Sequence, residues 1–372
     1  VGFQDFLGNA QTVTHLRESI RAERFPHSLI LAGPKGAGKY TLALMLAKAV
    51  NCLEPTETPT ESGLLPDFCG QCRNCLRIDD SADLEARVAE AVEAREALRE
   101  TDKRETRILI QTHPDVLIVP PDPPQLLIKL GQVRQVIHVA YYRPPVESKR
   151  SFSIFTSSAF MKEAANSLLK VLEEPPEHTS LILLTENPQE MLPTIRSRAV
   201  IHRLGAIPSS DLESLLATRR PELKPADRAL AARLAEGAVG RALNLDLAAY
   251  LSSRQDALIL LRTALREPDY SQLFHATESY RAGADGHEKT INLLRALGSL
   301  IEDLLLVVAG TPRLIRNLDL EAELAKLVRD SALTVDWIDS AARALTQVEQ
   351  GMRRNLLRSL SLDAMAVGLV RE

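Results

Sequence analysis

Four short apolar runs punctuate the first half of the chain: SLILA at 28–32, DVLIV at 115–119, SFSIF at 151–155 and SLILLT at 180–185. Runs of this length, bounded by turn residues, read as strands buried on both faces. Between them the period changes. Residues 11–23 place Val13, Leu16 and Ile20 at helical spacing, and TLALMLAKAV (41–50) follows a glycine-rich turn. Strands that alternate with helical patterns predict a parallel α/β sheet. Residues 81–107 are strong helix formers throughout, with Leu84, Val88, Ala91 and Leu98 on one stripe and Glu100 four residues before Arg104. This stretch predicts a surface helical insertion with a solvated polar face.

The pattern shifts near residue 205. Short helical segments fill 209–247 and close in EGAVGRALNL. From about 251 to 372 nearly everything has helical period, as in INLLRALGSLIEDLLLVVAG. The expected fold class is therefore α/β plus all-α. Its expected domains are an α/β domain over 1–205, a small helical lid over 206–250 and a helical domain over 251–372.

Composition narrows this picture. Apolar residues make up 45% and charged residues 25%, and only 8 Phe, 6 Tyr and 1 Trp are aromatic, which favours helices over a β-sandwich. The net charge of −4 gives no electrostatic footprint for a stand-alone nucleic-acid binder. Contact with DNA would have to come from a local basic face or from a larger assembly. No apolar run approaches the roughly 20 residues that span a bilayer, and VGFQDFLGNAQ lacks a basic-then-apolar leader pattern. The expectation is a cytoplasmic protein without a membrane partner.

The first candidate chemistry is GPKGAGKYT, residues 33–41. Gly33, Gly38 and Lys39 obey the phosphate-loop spacing G-x-x-x-x-G-K-[ST], with Gly36 inside it, but Tyr40 stands where a small hydroxyl would hold Mg²⁺. Thr41 has the hydroxyl one residue later, about 100° around the helix. At the end of the SFSIF run, where acids would complete a magnesium site, stand Thr156, Ser157 and Ser158, with no carboxylate before Glu163. Two losses on opposite sides of the ion predict a loop that does not hydrolyse; whether ATP still binds is open.

The second is a set of four cysteines. Cys69, Cys72 and Cys75 form C-x-x-C-x-x-C, and Cys52 lies 17 residues upstream across a Pro/Thr-rich loop. Four thiolates suit one tetrahedral, structural Zn²⁺ with no open position for water. An iron–sulfur cluster or free thiols are the alternatives.

The stretch ANSLLKVLEEPPEHTSLILLTENPQEMLPTIRSR (165–198) resembles the signature of the bacterial clamp-loader AAA+ subunits of DNA polymerase III. That family reads N-A-L-L-K-x-L-E-E-P-P, then a sensor-1 threonine, then S-R-C. The similarity runs over roughly residues 3–250, with the helical remainder fitting the family's collar domain. The resemblance implies a non-hydrolysing subunit of a pentamer with gamma/tau and delta, which helps place the sliding clamp on primed DNA. Ser197 and Arg198 match S-R-C, with Ala199 for the cysteine, which implies that Arg198 is an arginine finger acting in trans. Thr185 matches the sensor-1 threonine, although Glu186-Asn187 departs from the family's T-[DE]-P. In GAVGRAL (237–243) Gly240 stands where the family has its sensor-2 arginine, and Arg241 comes one later. The family also carries a four-cysteine zinc module after the phosphate-loop helix. His113-Pro114-Asp115 resembles its H-P-D turn, and Gln132 and Arg134 fall on a helix that faces DNA in clamp loaders, or else are simply solvated. An ATP-hydrolysing gamma/tau-like subunit is the first alternative, and a zinc-based DNA-binding adaptor the second.

Overall fold

Each of the four apolar runs contributes a strand to one six-stranded sheet in the computed structural model, which describes residues 2–142, 148–265, 270–278, 280, 284–352 and 358–369. The strands are β1 (Ser28–Ala32), β2 (Thr56–Thr60), β3 (Gly63–Asp67), β4 (Ile110–His113), β5 (Val116–Val119), β6 (Ser151–Phe155), β7 (Thr179–Thr185) and β8 (Val200–Arg203). The large sheet runs β4-β5-β6-β7-β1-β8, and β2 and β3 form a separate antiparallel hairpin. All neighbours in the large sheet are parallel except β4 and β5.

Alternation within the buried strands splits their side chains between two cores. Leu29, Leu31, Ile118, Phe152, Ile154, Ile182 and Leu184 join helices α1 (Ala10–Arg21) and α2 (Lys39–Asn51) on one face. On the other face Ile30, Leu117, Val119, Phe155, Leu181 and Leu183 meet α6 (Leu130–Tyr142) and α7 (Lys162–Glu173). Period-2 side-chain direction with both faces covered explains why these strands read as continuous apolar runs.

The insertion over 81–107 differs from one long helix. It forms α4 (Leu84–Glu96) and α5 (Glu100–Glu105), after α3 (Arg73–Asp79), and is broken at 97–99. Leu84 and Val88 pack on the core, whereas Leu98 is exposed. Arg95 is buried and pairs with the fully buried Asp122 at 2.5 Å, so this helix is anchored by an internal charge pair as well as by its apolar stripe. The side chain of Arg104 lies outside the described residues; Lys103 instead pairs with Glu100 at 3.0 Å and Glu96 at 3.3 Å. A short α8 (Pro193–Arg196) follows β7.

The chain divides into two compact units, Val1–Ile207 with Ala238–Gly240, and Pro208–Gly237 with Arg241–Glu372. The second unit is helical. Its helices are α9 (Ser209–Arg219), α10 (Pro225–Leu234), α12 (Leu247–Leu265), α13 (Tyr270–Glu278), α14 (Ala284–Val308), α15 (Glu321–Asp330), α16 (Val335–Met352) and α17 (Arg358–Gly368), with the later turns of α11 (Val239–Asn244). Leu258, Leu261, Leu297, Leu300, Leu304 and Trp337 lie in its apolar core. Inside it a polar knot is closed without remainder: Asn317 donates to Ser299 at 3.0 Å and Asp303 at 2.8 Å, and accepts from Tyr250 and Arg254, both at 3.0 Å.

Candidate functional site

Parallel strands end together at one edge of the sheet, the usual place for a ligand crevice in α/β folds. There β1 runs into the glycine loop and β7 ends at Thr185, with the Gly33 N–H donating to the Thr185 carbonyl at 3.1 Å. Gly36 and Gly38 take positive φ, 83° and 84°, which lets the loop turn tightly into α2. A Cβ on Gly38 would stand 3.0 Å from the Phe6 ring. One on Gly33 would stand 2.6 Å from the Leu204 carbonyl oxygen. The sequence thus folds locally as a phosphate loop, strand to glycine turn to helix N-terminus.

Its polar groups are already occupied. Lys39 Nζ donates to the carbonyls of Gly33 at 2.6 Å and Pro34 at 2.8 Å. Burial pulls its pKa down, opposed by the nearby Glu186. Tyr40 turns its ring into the core, and its Oη donates to the Ser81 carbonyl at 2.6 Å. Burial pushes the phenol up to about 12. Thr41 is exposed. The buried Thr185 hydroxyl donates to the Asn187 carbonyl at 3.0 Å and accepts from the Asn187 N–H at 3.2 Å, closing a local turn. Ser157 Oγ accepts from the Ala159 N–H at 3.1 Å.

Gly240 reaches the same loop. Its N–H donates to the Gly36 carbonyl at 2.8 Å, and a Cβ at 240 would come to 3.2 Å from Gly36 Cα and from its carbonyl oxygen. A side chain there would press on the Gly36 backbone, which would have to give way slightly. Arg241 pairs with Glu236 at 2.5 Å. The structure therefore assembles Gly33, Gly36, Gly38, Lys39, Thr185 and Gly240 into one loop neighbourhood.

Arg198 lies in the link between α8 and β8. Its Nη1 donates to the Thr194 carbonyl at 3.0 Å and Ser197 Oγ at 3.3 Å, while Nη2 pairs with Glu173 at 2.8 Å. The side chain is 35% exposed.

The four cysteines come together at the far end of α2, whose C-cap is Cys52. Cys52 Sγ lies 3.5, 3.8 and 3.6 Å from the sulfurs of Cys69, Cys72 and Cys75, and all four sulfurs fall within 4.8 Å of one another. A tetrahedral ion with Zn–S bonds of about 2.3 Å would set sulfurs about 3.8 Å apart, so the set fits such a metal. Backbone N–H groups of Cys69, Gln71 and Cys72 point at the sulfurs, at 3.4, 3.4 and 3.2 Å. At Cys72 burial raises the thiol, but hydrogen bonds from Cys75, Leu53 and Cys69 outweigh it and bring it to about 6. Burial pushes Cys52 and Cys75 up.

His113 Nδ1 accepts from the Asp115 N–H at 3.0 Å, a turn-forming contact. Gln132 is fully buried and donates to the carbonyls of Ile108 and Pro120 at 2.7 and 2.8 Å, so it neither faces DNA nor is solvated. Arg134 is exposed. Glu173 and the contact between Gly240 and Gly36 escape a reading of the sequence, because each depends on residues far apart along the chain.

Residues 8–208 match the family described as DNA polymerase III, delta subunit. DNA polymerase III subunit delta' of Bacillus subtilis is 35% identical over 184 residues, covering 49% of this chain and 43% of its own length. DNA polymerase III subunit tau of Escherichia coli is 28% identical over 247 residues, covering 65% and 32%. The chain thus spans less than half the length of these relatives. A solved structure of a DNA polymerase III gamma subunit-related protein from Thermotoga maritima is 15% identical and covers 96% of this chain and 98% of that one, with a TM-score of 0.42.

Proposed function

The chain belongs to the DNA polymerase III delta-subunit family, and from that premise we propose that it is the non-hydrolysing, delta-prime-type stator of a clamp loader. In this reading its α/β part is an AAA+ domain, 206–250 its lid and 251–372 a collar that holds it beside gamma/tau and delta. It works in the cytoplasm, as part of the DNA polymerase III holoenzyme, to load the sliding clamp on primed DNA. Arg198 reaches a neighbour's ATP site, where a guanidinium offsets charge on the transferring phosphoryl group. The four cysteines hold one structural Zn²⁺, which would fix the loop between α2 and α3.

The observation that carries the reading is the commitment of Tyr40 to Ser81, which removes from the loop the small hydroxyl that would hold Mg²⁺ against the β- and γ-phosphates. Gly240 and the carboxylate-free Thr156–Ser157–Ser158 point the same way. The test has two arms. The purified chain is expected to show no Mg²⁺-dependent ATP turnover. In a complex reconstituted with gamma/tau and delta, Arg198→Ala is expected to lower clamp-stimulated turnover at the adjoining site while leaving assembly intact. The comparable loss in GTPases is about 10³–10⁵.

A second reading, an ATP-hydrolysing gamma/tau-like subunit, is favoured by one observation: the tau match covers 65% of this chain against 49% for the delta' match. Turnover by the isolated chain would select it.

A further inference from the structure

The two stretches that carry the family signature, SLLKVLEEPP and TIRSR, meet in a single ion pair, Glu173 Oε1 to Arg198 Nη2 at 2.8 Å. Glu173 is the last residue of α7. An acid there opposes the helix dipole, which favours cations at a C-terminus, so local helix energetics do not account for it. Pro175 and Pro176 stop the helix immediately afterwards and fix where the carboxylate stands. The Thr194 carbonyl and Ser197 Oγ hold Nη1 from the other side. The guanidinium is thereby gripped at both terminal nitrogens. Among the described residues Nε has no hydrogen-bond acceptor, and the side chain remains 35% exposed.

We propose that Glu173 is a positioning residue for Arg198: it fixes the rotamer of the guanidinium so that its remaining donors are presented to the neighbouring subunit's phosphate. This rests on the reading of Arg198 as a finger in trans. A flexible arginine loses side-chain freedom each time it engages, and a carboxylate that pre-orders it removes that cost before the phosphoryl group arrives. The ion pair is partly exposed and adds little to folding stability, so the contact can be cut without unfolding the chain.

The experiment uses the full chain in a complex reconstituted with gamma/tau and delta, assayed for ATP turnover in the presence of sliding clamp and primed DNA. Glu173→Gln keeps the shape of the side chain and removes its charge. We expect it to lower kcat about tenfold, well short of the ~10³–10⁵ of a deleted finger, with KM for ATP and subunit stoichiometry unchanged. Glu173→Asp should recover part of the rate, and the double variant with Arg198→Ala should be no slower than Arg198→Ala alone. If Arg198→Ala slows turnover but Glu173→Gln does not, or if Glu173→Gln speeds it, the positioning role is overturned while the finger stands. A double variant slower than Arg198→Ala would show that Glu173 acts through something else. If Arg198→Ala changes nothing, the finger reading itself falls and takes this role with it.

Discussion

At position 40 a phenol reaches where no small hydroxyl could, across to the backbone of Ser81. That commits the side chain to an internal tie. The tie has a pH signature. The folded phenol keeps its proton to about 12, whereas an ordinary tyrosine loses it near 10. Its stabilising contribution is therefore complete below pH 10 and lost as pH rises to about 12. Stability of the natural chain should fall more steeply over that window than that of Tyr40→Phe, measured by urea unfolding at matched pH. At neutral pH the substitution should cost about 1 kcal/mol, the net worth of one hydrogen bond. The other tyrosines are common to both proteins and cancel in the comparison.

At the scale of elements, α2 joins the two candidate sites, starting at Lys39 of the loop and capped by Cys52 of the cysteine set, about 20 Å away at 1.5 Å per residue. Its central residues Leu42–Ala49 are all buried, as expected of a helix covered on more than one side. The sheet's inner strands were legible because covering both faces leaves an unbroken apolar run. The β2–β3 hairpin was not. Thr56–Thr60 has no alternation, and its place is set from a distance by Arg17, which donates to Pro66 at 2.9 Å, Leu65 at 2.7 Å and Thr58 at 2.5 Å. Strand β8 was equally silent, since VIHR is short and lies mostly exposed at the sheet edge. The cysteine spacing was informative because ligand chemistry needs few residues, whereas the fully buried Gln132 looks like any polar surface residue until its backbone partners are seen. Metal analysis of the purified chain should find one zinc per chain and no iron. Chelation should then raise hydrogen exchange over 52–79 while β1, β6 and β7 stay protected; uniform protection after complete removal would rule out a structural metal.

At the scale of the whole molecule, the chain passes between its two units at 207–208, 237–238 and 240–241. The helical unit carries its own closed polar knot at Asn317, so Asn317→Ala removes the acceptor that buried Tyr250 and Arg254 share and one of the donors to Asp303, and should cost about 1–3 kcal/mol, readable by thermal unfolding. Its helices were legible as periodic patterns, but the knot was not, because Tyr250, Arg254, Asp303 and Asn317 are scattered over three segments. The short excursion 238–240 has a further consequence. Gly240 gives its N–H to Gly36, and a Cβ there would stand 3.2 Å from the Gly36 backbone, so a side chain presses on the loop itself. An arginine placed at 240 would have to displace that backbone before it could reach the loop. Gly240→Arg should break that backbone contact and cost about 1–3 kcal/mol by overpacking, with no gain in nucleotide affinity by equilibrium binding. A backbone contact, rather than a side chain, thereby sets what position 240 can hold.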